Sequence, residues 1–140
     1  GPSESDLPQP EERLTNRAYI YPDIRFATKE LVCGNILYSN TWDKNDKTIS
    51  FNYDIKKEKE ILLEDIWQQK LNMTDTLSNY FTAIGKPGFT YKYFNITPQG
   101  LRFFDELDPL YGRKEETIPY AILKKWTRRK SPIRNLINEE

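Results

Sequence analysis

The chain has 140 residues, enough for one core that buries roughly 68–70% of the extended surface and too few for two. Nine Tyr, seven Phe and three Trp supply large burial units, which excludes intrinsic disorder for the middle of the chain despite a hydrophobic content of 37%. Lysine plus arginine and aspartate plus glutamate balance at 21 each, so no global charge draws the protein to nucleic acid or to a membrane.

There is no histidine, which excludes Ser-His-Asp and Cys-His catalysis, imidazole metal sites and histidine pH switching. A single cysteine, Cys33, allows neither an intrachain disulfide nor a thiolate cluster. No cofactor and no metal site is expected. No apolar run reaches the roughly 18 residues of a membrane-spanning helix. The opening Gly1-Pro2, with no starting Met, reads as a processing scar, so an export signal or anchor upstream is expected to have been removed.

Residues 1–16, rich in proline, serine and acids, read as a tail or linker that cannot offset its ordering entropy. Residues 17–127 read as one domain, and 128–140 as a basic and polar C-terminal tail. Within the domain, Tyr19 to Phe26 suits a strand that Pro22 confines to an edge or a bend. Glu30 to Trp42 is a second run of strand formers, and Thr48 to Ile55 alternates cleanly, with Ile49, Phe51, Tyr53 and Ile55 on one face and Ser50, Asn52 and Asp54 on the other. That alternation predicts a half-buried strand. The polar cluster Asp43 to Lys47 between the two runs predicts an antiparallel hairpin.

The period then changes. Leu63, Ile66 and Trp67 make a helical turn, and Thr74 or Asp75 is the expected cap of a longer helix carrying Leu77, Tyr80, Phe81 and Ile84 on one face, stopped by Gly85 and Pro87. Phe89–Ile96 and Leu101–Leu107 read as strands joined by a Thr97-Pro98-Gln99-Gly100 turn. Glu116–Ile118 is a short strand, and Pro119 opens a helix toward Trp126. Hairpins rather than crossovers predict an α+β fold: an antiparallel sheet with two or three helices packed on it.

Three segments in this order carry a family resemblance. Ile49-Ser-Phe-Asn-Tyr-Asp-Ile55 with Ile61-Leu-Leu-Glu-Asp-Ile-Trp67, then Phe94-Asn-Ile-Thr-Pro-Gln-Gly-Leu-Arg-Phe-Phe104, then Ile118-Pro-Tyr-Ala-Ile-Leu-Lys-Lys-Trp126, together resemble the RsiV-like domain family. That domain of unknown function is found in RsiV-type anti-sigma factors and at the end of some peptidoglycan deacetylases. The similarity covers roughly residues 47–127, and the loop Glu106 to Gly112 is shorter than the family's and differently substituted. The resemblance implies a bacterial extracytoplasmic domain, periplasmic or at the cell surface, secreted or lipid-anchored, whose partner is a protein such as lysozyme or a cell-wall component such as peptidoglycan.

Each candidate for chemistry has a plainer reading. Asp105, Glu106, Asp108, Glu115 and Glu116 contain the two carboxyl groups a glycosidase needs, yet nothing in the spacing sets their separation, and solvated loop charge is the better account. Asp43-Lys-Asn-Asp46 opens like a calcium loop and then fails it: Lys47 takes a ligand position, with neither the glycine nor the closing glutamate following. Cys33, in an apolar setting, is a small hydrophobe rather than a nucleophile. The cluster from Lys124 to Arg134 has the charge to grip phosphate, teichoic acid or an anionic lipid surface, against the reading of a solvated tail. The sequons at Asn72 and Asn95 are incidental in a bacterial chain.

The candidate partner-binding residues are Asp108, Pro109, Tyr111 and Gly112, where Pro109 stiffens and Gly112 frees a loop that presents Tyr111, together with Trp42 at the end of a hairpin. The function expected is a non-enzymatic binding or sensor domain outside the cytoplasm. The alternative is an intracellular adaptor or immunity-type protein that inhibits a partner enzyme, suggested by the balanced charge and the lone cysteine.

Overall fold

The computed structural model describes residues 18–40, 47–105 and 114–138. Strands β1 (Ala18–Ala27), β2 (Leu31–Asn40), β3 (Lys47–Asp54) and the two-residue β4 (Lys59–Glu60) form an antiparallel sheet in that order. β1 and β2 join through a tight turn in which the Thr28 hydroxyl accepts from the N–H groups of Glu30 and Leu31, both at 3.0 Å. β1 is the edge strand, as Pro22 requires, and its register with β2 shifts between Ile24 and Phe26. Gly34 of β2 faces that irregularity, where a Cβ would strike the Asp23 carbonyl. β2 and β3 pair antiparallel with Val32 opposite Tyr53 and Ile36 opposite Ile49; the connection holding Asp43 to Asp46 lies outside the described residues.

Helix α1 (Leu63–Ile66) leads to α2 (Met73–Ala83). The cap of α2 is Asn72, two residues before the expected Thr74: its side chain accepts the Asp75 N–H at 3.0 Å, and an asparagine reaches the third helical amide as well as a threonine does. Leu77 and Phe81 are buried as the spacing predicts, Gly85 ends the helix at φ 83°, and Ile84 turns outward as the C-cap. A second antiparallel sheet follows, β5 (Tyr93–Ile96), β6 (Gly100–Phe104) and β7 (Glu115–Pro119), and then α3 (Tyr120–Leu123) and α4 (Arg134–Asn138). The β5–β6 hairpin turns at the expected Thr97–Gly100, with the Thr97 hydroxyl accepting the Gly100 N–H at 3.2 Å. The fold is α+β, built on two antiparallel sheets rather than the single one expected.

The core joins α1, α2 and α3 to the second sheet through Ile66, Leu77, Phe81, Phe103, Ile118 and Leu123. Phe81 sits 4.6 Å from the Phe89 ring and 6.1 Å from that of Phe103, and Trp67 lies 5.4 Å from Trp126. The segment after Thr127, expected to be a basic and polar tail, is packed through residue 137. Ile133 and Ile137 belong to the core, with Leu136 against it. Those three residues, at i, i+3 and i+4, make an apolar stripe inside a segment whose charge conceals it.

The sheets are stitched by polar side chains. Asn52 of β3 donates to the Phe94 carbonyl at 3.0 Å and accepts the Ile96 N–H at 2.8 Å, the two backbone groups that the peptide of a parallel neighbour would engage. Asn95 of β5 returns the link by donating to the Gly34 carbonyl at 2.8 Å, while its oxygen accepts from Arg102 at 2.7 Å. Arg102 also pairs with Glu115 at 3.1 Å.

Candidate functional site

The five residues singled out as partner anchors, Asp108, Pro109, Tyr111, Gly112 and Trp42, lie outside the described residues. So do Glu106 and the Asp43–Asp46 cluster. Of the remaining carboxylates, Asp105 accepts from the Thr90 hydroxyl at 2.5 Å, Glu115 pairs with Arg102 and Glu116 with Lys86. As adjacent residues of β7 the two glutamates point to opposite faces of the strand. Among the described residues no group of three or more acids and thiols is placed to hold a metal ion. Both sequon asparagines have structural work: Asn72 caps α2 and Asn95 is fully buried in the seam.

Cys33 is fully buried, and removal from water pushes its thiol from 9.0 up to about 11, against the opposing pull of hydrogen bonds from the Tyr53 and Ile96 backbones. The protonated thiol is a packing group at neutral pH, as the apolar neighbourhood in the sequence predicts.

The structure assembles a different surface, on one of the two faces that the alternation of β3 defines. Thr48, Asn52 and Asp54 are the buried residues of β3, whereas Ile49 is 49% exposed and Tyr53 and Ile55 are each 39% exposed. The strand is half-buried, as the alternation predicts, and the face turned inward is the polar one. The seam needs hydrogen-bonding side chains facing β5, and the period of two then sends every apolar neighbour outward.

Cross-strand register extends that face. Val32, Gly34, Ile36 and Tyr38 of β2 stand opposite Tyr53, Phe51, Ile49 and Lys47 of β3, and Ile24, Pro22 and Ile20 of β1 stand opposite Gly34, Ile36 and Tyr38. Ile20 and Ile24 are also exposed, at 64% and 53%. A shallow groove of about 710 Å³ runs along the face, floored by Val32, Ile36, Ile49, Phe51, Tyr53 and Ile55, with Glu60 at its margin. Three strands about 4.8 Å apart, eight or more residues long at about 3.4 Å each, give a footprint of roughly 400 Å² before side-chain relief is counted. That already falls within the ~300–600 Å² of the largest apolar patch on an ordinary monomer, a size that usually marks function.

The opposite face of the same sheet contains an unpaired amide. Asn35 is fully buried and neither atom of its side-chain amide has a hydrogen-bond partner. Its neighbours across the strands are Asp23 and Ser50.

Compared with known proteins, the chain matches no family model and no curated protein. The RsiV-like resemblance therefore rests on the three sequence segments themselves. Among the described residues no helix is long and apolar enough to cross a membrane.

Proposed function

We propose that this protein is a non-enzymatic binding module that docks another protein on the outer face of its four-stranded sheet. The observation that carries the reading is the inverted strand β3, with Ile49, Tyr53 and Ile55 in water and Thr48, Asn52 and Asp54 inside. The part of these β-branched and aromatic side chains left in water adds nothing to the stability of the monomer, whereas covering it on association recovers about 25 cal/mol for each Å² of apolar surface removed from water.

The chemistry of the face favours protein over glycan. A sugar chain needs many hydrogen-bonding groups for its hydroxyls, whereas six of the eight residues that line the groove are apolar or aromatic, with Ser50 and Glu60 the other two. A partner that presents a flat, uncharged patch fits, with the tyrosines supplying amphipathic contact. The RsiV-like resemblance supports an extracytoplasmic setting and makes lysozyme the first protein to assay.

The test is retention of the protein on immobilised lysozymes and on insoluble peptidoglycan, with the double variant Ile36→Lys, Ile49→Lys beside the parent. Retention by lysozyme that the double variant loses, while its melting temperature holds, is the expected result. Binding to peptidoglycan alone, or lysozyme binding indifferent to the two lysines, would overturn the reading. A parent that sediments as a dimer, and a variant that does not, would assign the face to a second copy of the chain instead.

A further inference from the structure

Away from the four-stranded sheet, six cations converge on one groove. The segment Ile66–Gln68 runs antiparallel to Trp126–Arg128, joined by a bridge between Trp67 and Thr127 and by hydrogen bonds from the Gln68 N–H to the Trp126 carbonyl and from the Arg128 N–H to the Ile66 carbonyl, both at 2.9 Å. Beside this junction lies an open groove of about 1020 Å³, lined by Lys70, Lys124, Arg128, Arg129, Lys130 and Arg134 together with Gln68, Gln69 and Thr127. Among the described residues no acid lines it, in a chain whose acids and bases are equal in number. None of the six cations is ion-paired with a described carboxylate.

Two of the guanidinium groups are fixed in place. Arg128 donates to the Trp67 carbonyl at 2.9 Å and to the Glu64 carbonyl at 2.7 Å, and Arg134 donates to the Thr127 and Arg128 carbonyls at 2.8 and 2.7 Å. These bonds spend donors on neutral acceptors and leave the positive charge uncompensated. Lys70, Lys124, Arg129 and Lys130 surround them on exposed backbone.

We infer that this groove is a binding site for a ligand carrying clustered phosphate groups, either a lipid headgroup or a soluble polyphosphorylated molecule. Every charged side chain of the lining is a cation whose polar atoms only donate, which suits phosphate oxygens, and Gln68, Gln69 and Thr127 add neutral polar groups between them. Among the described residues no aromatic side chain lines the groove, so they offer single-stranded nucleic acid no stacking platform. The volume exceeds what one phosphate fills, and six like charges without a carboxylate partner among the described residues repel one another until an anion enters. The inference is independent of the docking face and survives its failure.

The test uses inorganic tripolyphosphate in titration calorimetry and, separately, sedimentation with vesicles of phosphatidylcholine alone or mixed with an anionic phospholipid. The charge-reversal variant Lys124→Glu, Arg129→Glu, Lys130→Glu removes three exposed cations whose side chains hold no part of the fold, and Lys56→Glu, Lys57→Glu on the β3–β4 turn is the control. Expected is saturable binding that weakens with added salt, falls roughly tenfold or more in the groove variant, and persists in the control. Should the triple variant melt early, Arg129→Glu alone carries the same comparison. Binding confined to anionic vesicles identifies a headgroup, and binding to tripolyphosphate alone a soluble ligand. No binding to either probe, or an equal loss in the control, overturns the site.

Discussion

In the three-stranded sheet every residue of the central strand β6, Gly100 to Phe104, is buried, because helices cover one face and the other meets the seam. In the four-stranded sheet, β3 buries Thr48, Asn52 and Asp54 and leaves Ile49 and Tyr53 in water. Both sheets are antiparallel hairpins with similar composition, and they use their apolar residues for opposite ends. One holds the monomer together; the other leaves Ile49, Tyr53 and Ile55 exposed. Hydrophobic side chains in a strand therefore do not all report on folding, and which ones do depends on what faces them.

The sharpest way to break that contrast is to delete equivalent apolar mass from each sheet. Phe103→Ala, which empties a position ringed by Phe81, Tyr91 and Phe94, should cost about 3–5 kcal/mol in chemical denaturation. A loss near zero would mean that the aromatic cluster is not the core.

The seam is next in size. Asn52→Leu keeps the volume and removes both hydrogen bonds to β5, leaving the Phe94 carbonyl and the buried Ile96 N–H without their partner, at about 2–4 kcal/mol. Wild-type stability in this variant would show that the sheets do not depend on each other.

Cys33, fully buried beside the same seam, gives a pH signature. Its thiol titrates near 11 folded and near 9.0 unfolded, so the native state retains the proton longer. The resulting contribution is fully present below pH 9.0 and is lost as the pH rises toward 11, reaching about 2–3 kcal/mol. Because tyrosines and lysines titrate in the same range, the check is the difference in unfolding free energy between parent and Cys33→Ala followed from pH 8 upward. That difference should shrink by about the stated amount.

The smallest effect on stability belongs to the exposed face of the four-stranded sheet. Ile49→Thr and Tyr53→Thr keep β-branched or strand-compatible residues at exposed positions and should each shift the unfolding free energy by less than about 0.5 kcal/mol, while weakening partner binding. If Ile49→Thr were to destabilise as much as Phe103→Ala, the face would be part of a core and the comparison of the two sheets would collapse.

Much of the fold was legible in local pattern. The alternation from Thr48 to Ile55, the spacing of Leu77 and Phe81, the Thr97–Gly100 turn and Pro22 at an edge each act over a few residues, where sterics and hydrogen-bonding reach are short. The basic segment from Lys124 to Arg134 was visible as a cluster of charge, but its packing was not: Ile133 and Ile137 look like incidental apolar residues until α3 is there to meet them.

What the sequence by itself determined is the α+β class, the hairpins and the absence of histidine chemistry, since these follow from composition and from interactions between near neighbours. Tertiary structure alone decided which side of β3 faces inward. A period of two specifies two faces and assigns neither to the core; Asn52 and Asn95, far apart in the chain, made that assignment by bonding across the seam to Phe94, Ile96 and Gly34. The same long-range closure gathered Lys70 and Arg134 into one groove, because a charge's neighbours in space are set by the fold and not by its neighbours in sequence.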